Sequence, residues 1–129
     1  LTGEPHYRNT ALRALQAHQR EITAAPSACS LIISTLDRMR SENTREIVIA
    51  GEGHTAKDML KRVRTLSLPK YIVHHKTSEN AQVLAKLAPF TESLSPDAHS
   101  GAAAFVCSGF SCDRPVKTAL ELETMLRNA

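Results

Sequence analysis

The sequence is poor in aromatic residues and in cysteine, and it contains no tryptophan. Aromatic residues make up 4% of the 129 residues, so the core has to be built from Leu, Ile, Val, Ala and Met. Three cysteines are an odd and low number, which excludes the disulfide-rich scaffolds of small secreted proteins. The cysteine content therefore favours a reducing, cytoplasmic compartment.

Long apolar runs and a strong net charge are also missing. No apolar segment approaches the roughly 18 residues that a bilayer span needs, and no signal-peptide pattern is present, so no membrane partner is expected. The formal net charge is +3. Lys57, Lys61 and Arg64 lie at helical spacing, but no aromatic residues are interleaved with them. Nucleic acid is disfavoured as a partner, because base stacking needs such aromatics.

The first 43 residues predict an antiparallel pair of helices. Apolar residues recur at helical spacing over residues 4–23 and again over 26–40. Pro26 lies at the start of the second segment, where a helix tolerates proline. We therefore expect two packed helices before the rest of the fold begins.

From residue 44 onward, short apolar runs alternate with helical patterns. Residues 46–51, 70–75 and 102–107 are predicted strands, with a helix after each of them. Strands that alternate with helices are typical of parallel β-α-β units. The predicted fold class is therefore α/β over residues 44–129, with a small three-stranded, mostly parallel sheet flanked by helices.

Two helix starts are predicted from capping patterns. Thr118 precedes Glu121 by three positions, which is a capping box, and Thr55 precedes Asp58 in the same way. We therefore expect helices to begin directly after Thr55 and directly after Thr118.

Reactive residue types collect at the predicted carboxyl ends of the three strands. From the first strand to the third they are Gly51, Gly53, His54, His74, His75, Cys107 and Cys112. The carboxyl ends of parallel strands meet at one sheet edge, where such folds bind ligands. We therefore expect these residues to lie close together.

Cys107 and Cys112 leave three interpretations open. Buried cysteine commonly behaves as a small apolar residue, and the short spacing across a turn also permits a disulfide or redox-sensitive pair. Both cysteines with His54 and either His74 or His75 could in principle bind zinc. The structural interpretation carries most weight, since the spacing is not the Cys-x-x-Cys of thioredoxin-like sites. No metal and no cofactor is predicted.

The turn from Gly51 to His54 allows one further interpretation. Backbone N–H groups of a glycine-rich turn at a helix N-terminus can bind phosphate. The dinucleotide-binding fingerprint, however, needs a third glycine where residue 56 is alanine. Small-anion or nucleotide binding at this edge is therefore an alternative to a simple tight turn.

Four segments, taken in order, resemble one known family. They are residues 1–7, 26–28, 46–51 and 104–116, and the last contains the pattern V-C-x-x-x-x-C-x-x-P. The sequence is similar to the C-terminal portion of the YyaL-like, spermatogenesis-associated family of thioredoxin-domain proteins. Those long chains carry an N-terminal thioredoxin-like domain, a helical toroid similar to N-acylglucosamine 2-epimerases and six-hairpin glycosidases, and a small C-terminal α/β region.

The resemblance implies that residues 1–43 are the last helices of the toroid and that 44–129 are the terminal α/β domain. The chain begins with Leu1 rather than Met, which also favours a piece of a longer protein. We expect a non-catalytic structural or interaction module whose partners are the upstream domains of the same chain, with self-association through residues 1–40. A thiol redox module using Cys107 and Cys112 is the first alternative, and anion binding at the strand edge is the second.

Overall fold

A computed structural model describes residues 4–40, 44–66, 68, 70–109 and 111–128. These residues fall into two compact units, a helical unit within 4–40 and an α/β unit within 44–128. The predicted boundary between residues 43 and 44 adjoins 41–43, which lie outside the described residues. Residues 1–3 and 110 of the family-like segments lie outside them as well.

The helical unit consists of three α-helices and one 3₁₀ turn. They are α1 (Pro5–Ala17), α2 (Gln19–Ala24), the 3₁₀ turn Pro26–Cys29 and α3 (Ser30–Arg40). The first predicted helix is interrupted at His18, which caps both α1 and α2. Both α1 and the 3₁₀ turn begin at a proline, because a first turn does not need its N–H.

The α/β unit contains a four-stranded sheet in the order β2-β1-β3-β4. Its elements are β1 (Arg45–Gly51), α4 (Gly53–Thr65), β2 (Tyr71–Lys76), α5 (Ala81–Leu87), the 3₁₀ turn Pro89–Thr91, β3 (Ala102–Ser108), β4 (Ser111–Cys112) and α6 (Ala119–Arg127). β1 and β2 are parallel, β3 is antiparallel to β1, and β4 is antiparallel to β3. No helix among the described residues is long and apolar enough to cross a bilayer.

The α/β class is confirmed, but the predicted three-stranded, mostly parallel sheet is wrong in strand number and in the direction of the third strand. β2 ends at Lys76, and β3 begins at Ala102, which pairs with Gly51 at the end of β1. The connecting segment thus starts and ends at the same end of the sheet. A parallel third strand would need a connection that runs back along the whole length of β2. The helix α5 is too short for this, because its seven residues span about 10 Å, whereas a six-residue strand spans about 20 Å.

The fourth strand comes from a hairpin that was predicted as a turn. Ser108 pairs with Ser111, and the connection between them passes through Gly109, whose φ is +55°. Two-residue hairpin turns need positive φ, which glycine adopts without strain. β4 is only two residues long, too short to give a recognisable strand pattern in the sequence.

Both faces of β1 and β3 are buried. One face contributes Ile47, Ile49, Ala104 and Val106 to a core with α4 and α6. The other face contributes Val48, Ala50, Ala103, Phe105 and Cys107, which are covered by Leu94 and Phe90. Because side chains alternate along a strand, burial on both sides explains the continuous apolar runs in the sequence.

One of the two predicted helix starts is confirmed. Thr118 Oγ1 accepts a hydrogen bond from the Glu121 N–H at 3.2 Å, and the Glu121 carboxylate accepts one from the Thr118 N–H at 3.1 Å. The expectation at Thr55 is wrong, because α4 begins at Gly53 with Glu52 as its N-cap. Gly51 leaves the sheet with a φ of +120°, and the helix starts three residues earlier than predicted.

Candidate functional site

Cys107 and Cys112 form a disulfide across the β3–β4 hairpin. They are directly paired residues of the two strands, with an S–S distance of 2.05 Å and a Cα–Cα distance of 3.9 Å. Cys107 is 2% exposed, whereas Cys112 is partly exposed at the sheet edge. Cys29, in the 3₁₀ turn of the helical unit, is a free thiol.

The strand register brings two ionisable side chains to the same face and the same end of the sheet as the disulfide. Glu46 on β1 pairs with Cys107 on β3, and His74 on β2 pairs with Val48. Side chains of directly paired residues lie on one face, with Cβ atoms of antiparallel pairs about 4.5–5.5 Å apart. Nε2 of His74 lies 3.4 Å from Oε2 of Glu46.

The Glu46–His74 pair is largely removed from solvent. The Glu46 side chain is 17% exposed and that of His74 is 10% exposed. The ring of Phe90 meets the His74 ring edge-on at a centroid distance of 6.3 Å. Phe90 also packs against the apolar cluster that contains Cys107, so one aromatic residue adjoins both His74 and the cluster of the buried cysteine.

The pKa of Glu46 is lowered, because its contact with His74 favours the carboxylate more than burial disfavours it. Glu46 is therefore ionised at neutral pH although its face of the sheet is otherwise apolar. A carboxylate–imidazole pair can accept and return a proton, and a disulfide in which one cysteine is partly exposed can exchange with external thiolates. The site therefore combines two groups with complementary chemistry.

The glycines and His54 predicted to join the cysteines lie at the opposite end of the sheet. Gly51 pairs with Ala102, whereas Cys107 pairs with Glu46 five positions earlier on β1. At about 3.3 Å per residue the two ends are about 17 Å apart. The expected gathering is therefore wrong for the two cysteines, because β3 is antiparallel and carries its carboxyl end away from that of β1.

The same separation argues against a zinc site formed by both cysteines and His54. His54 follows Gly51, while both cysteines lie at the other end. Within the described parts of the chain, no group of three His, Cys, Asp or Glu side chains lies close enough to hold a metal ion.

The histidines of the predicted strand-edge site have local partners. His74 and His75 lie on opposite faces of β2, as alternation requires, and His75 Nε2 lies 3.0 Å from the Gly51 carbonyl oxygen. His54 is 90% exposed, and its Nδ1 lies 2.9 Å from Oδ2 of Asp58 on the next turn of α4. The three histidines therefore do not converge on one point.

The glycine-rich turn has a structural reason for its first glycine. A Cβ on Gly51 would lie 2.2 Å from the Gly101 carbonyl oxygen, whereas one on Gly53 would meet nothing within 4 Å. Glu52 accepts hydrogen bonds from the Ser78 N–H and Oγ at 2.7 and 2.6 Å, and these bonds lower its pKa. This negative charge at the start of α4 disfavours a bound anion, so no observation supports the anion-binding alternative.

Sequence reasoning missed Glu46. The signal was available, since Glu46 shares its strand face with Val48 and Ala50 and is thus an acid directed towards the core. Its proximity to Cys107 could not be predicted, because it depends on the antiparallel direction of β3.

Comparison of the chain with protein-family models, curated proteins and solved structures gives no match. The similarity to the C-terminal portion of the YyaL-like family stays a prediction that rests on the four segments quoted above.

Proposed function

We propose that this chain is a non-catalytic structural and interaction module whose helical unit packs against an upstream helical domain of the same polypeptide. The supporting observation is that none of the described residues of α1, α2 and α3 is buried. Leu31 is 80% exposed and Tyr7 is 63% exposed. Helices gain most of their stability from packing an apolar face, so we expect another protein surface to pack against the apolar faces of these helices.

The helical unit offers a surface suited to such a cover. α1 and α3 line an apolar groove of about 300 Å³, formed by Ala11, Ala14, Leu15, His18, Leu31, Ile32 and Thr35. Apolar grooves between helices accept the side chains of a further helix. If the family resemblance holds, that helix would belong to the preceding toroid.

Sedimentation of the isolated chain tests this proposal. Without its cover, the groove is expected to drive self-association at raised concentration and to bind a hydrophobic dye. Leu31→Glu places a charge on the groove wall and should return the chain to a monomer. Leu120→Glu is the matched control, because Leu120 is a 69% exposed leucine on α6 in the other unit.

Two results would contradict the proposal. One is a monomer that binds no dye at any concentration. The other is an equal response to Leu31→Glu and Leu120→Glu, since the sticky surface would then not be the helical unit.

A thiol redox module is the second candidate, and the Cys107–Cys112 disulfide supports it. The low cysteine content favours a reducing compartment, where persistent disulfides are rare and those present are mostly transient or redox-active. A glutathione redox titration, read by alkylation and mass, measures the midpoint of the pair. Structural disulfides have potentials below about −300 mV, so this candidate requires a less negative midpoint, and a lower one would remove it.

A further inference from the structure

Four neighbouring strands each place one polar or reactive residue in a row across the sheet. In the spatial order β2, β1, β3 and β4 these residues are His74, Glu46, Cys107 and Cys112. Each is joined to the next by a strand pairing, a side-chain contact or the disulfide itself. The row leads from a shielded imidazole to a partly exposed cysteine.

The two sulfurs of this row differ in access. Cys107 is 2% exposed and packs in the cluster with Phe105 and Leu94. Cys112 lies on the edge strand and is partly exposed. An external thiolate therefore reaches Cys112 first, and Cys107 becomes the leaving sulfur.

A leaving sulfur at position 107 requires a proton. Its surroundings are apolar apart from Glu46, and a buried thiolate beside a carboxylate is disfavoured by desolvation and by like-charge repulsion. Cys107 must thus be protonated as the S–S bond breaks, and deprotonated when the bond forms again. The ionised Glu46 carboxylate, which is paired with Cys107 in the sheet and in contact with His74, is placed to pass that proton between His74 and the sulfur.

We propose that Cys107 and Cys112 form a dithiol–disulfide exchange site in which Cys112 is the sulfur attacked by an external dithiol, and the Glu46–His74 pair gives and takes the proton of Cys107. This inference rests on the thiol redox candidate and adds the attacked sulfur, the class of partner and the proton carrier.

The exchange balances without a further reagent. A thiolate of the dithiol attacks Cys112 Sγ, the Cys107–Cys112 bond breaks, and Cys107 Sγ takes both bonding electrons and a proton from the pair. The second thiol of the partner then attacks the partner's first sulfur, which is bonded to Cys112 in the mixed disulfide, and Cys112 is released as a thiol. Two electrons and two protons pass from the partner to the protein, which ends with two thiols, and the partner ends as a disulfide.

The reduction rate by dithiothreitol, divided by the concentration of its thiolate, tests the proton transfer. Because the exchange needs a pair that carries a proton, this normalised rate should fall as the pH rises and the pair loses that proton. Glu46→Gln should lower it roughly tenfold or more at the acidic end and flatten the pH profile. Glu46→Asp keeps the carboxylate and should keep the slope of the pH profile. A variant that had merely unfolded would lose this slope, so Glu46→Asp also controls for misfolding.

Glu52→Gln is the matched control. Glu52 is a hydrogen-bonded carboxylate of the same unit at the other end of the sheet, so this variant should reproduce the native profile. The side chains of Phe90 and Leu94, which cover this face of the sheet, carry no titratable group. Lys76, on the same face of β2, donates to three carbonyls of 91–94 at 2.7–3.1 Å.

The attacked sulfur is tested with a monothiol. Brief reaction with glutathione, acid quenching and peptide mapping should place glutathione on Cys112. Glutathione on Cys107, or a Glu46→Gln profile with the native slope, would overturn the inference and leave the redox candidate standing. A disulfide that resists the glutathione titration described above would instead remove the redox function itself.

Discussion

α1 and α4 are both amphipathic helices of 13 residues, yet they differ completely in burial. α4 lies on the sheet and buries Ala56, Met59 and Val63, whereas no residue of α1 is buried. The sequence pattern is of the same kind in both helices. Apolar periodicity therefore predicts that a helix has an inner face, but it does not reveal whether this chain supplies the surface that covers it.

The two units should accordingly respond differently to mutation. In the α/β unit, packing on both sides of the sheet leaves little room for change. In the helical unit no described residue of the three α-helices is buried, and side chains such as Tyr7 and Leu31 are largely exposed, so substituting those two removes little that the isolated chain has buried.

The largest effect is expected from Gly51→Ala at the end of β1. The new Cβ would lie 2.2 Å from the Gly101 carbonyl oxygen and 2.8 Å from Ala102 Cα, at a φ of +120°. Both obstacles are backbone atoms, one in the residue before β3 and one in its first residue, so they can move only by distorting the start of that strand. We expect a loss of more than about 4 kcal/mol in the free energy of unfolding, measured by urea denaturation.

Gly53→Ala is the matched control for that variant. Gly53 also has a positive φ, +81°, but no atom lies within 4 Å of a Cβ built on it. Its cost should be only the about 1–2 kcal/mol of the left-handed backbone. If both variants lost a similar free energy of unfolding, the close contact with Gly101 would not be the reason for glycine at position 51. Tight packing of this unit would then not explain the effect of Gly51→Ala.

The direct comparison of the units uses one leucine from each. Leu122 on α6 is fully buried, and Leu31 on α3 is 80% exposed. Leu122→Ala should cost about 2–5 kcal/mol, and Leu31→Ala should stay within about 0.5 kcal/mol. Hydrogen exchange followed by mass spectrometry reports each unit separately. A large cost at Leu31 would break the comparison, because it would mean that the helical unit is already covered in the isolated chain.

The difference between the units also explains what the sequence could predict. Helices, strands and their order follow from local periodicity, and the capping box at Thr118 follows from local hydrogen bonding. The direction of β3 does not, because a continuous apolar run indicates burial on both faces and contains no information on strand direction. That single property decides whether Cys107 lies beside Gly51 or beside Glu46.

The candidate site was predictable only in part for the same reason. Cys107 and Cys112 stand out locally, since they flank a glycine turn five positions apart. His74 and Glu46 are 28 residues apart in the sequence and meet through the parallel β1–β2 pairing. Non-local pairs of this kind depend on register, and register follows from the whole sheet rather than from either strand.

A smaller effect is expected from Thr118→Ala at the start of α6. The threonine hydroxyl accepts from the Glu121 N–H, and its removal should cost about 1 kcal/mol. Thr35→Ala is the counterpart in the helical unit. Thr35 Oγ1 donates to the Leu31 carbonyl within α3, and alanine is the better helix former, so this variant should be neutral or slightly stabilising. Circular dichroism during urea denaturation compares the two.

The smallest effect is expected from the charge of Asp97, and its pH dependence lies in the acidic range. The carboxylate lies 2.6 Å from Lys117 Nζ and accepts hydrogen bonds from the N–H groups of Ser100 and His99. Lys117 first, and then Ser100, hold the pKa of Asp97 well below its ordinary value of 3.8. These contacts join the loop before β3 to the segment before α6, and they thus hold both segments of the α/β unit in place.

The sign of the pH dependence follows from that direction. Because the folded pKa is depressed, the ionised Asp97 stabilises the fold above its ordinary pKa, and the stabilisation is lost as the pH falls below about 4. Urea midpoints measured from pH 6 to pH 3 should therefore fall less steeply for Asp97→Asn than for the native chain. Asp58→Asn should keep the native slope, since Asp58 pairs with the exposed His54 and such surface pairs contribute little. Equal slopes for all three proteins would mean that the loop is not held by this carboxylate, and that the α/β unit depends on its buried core alone.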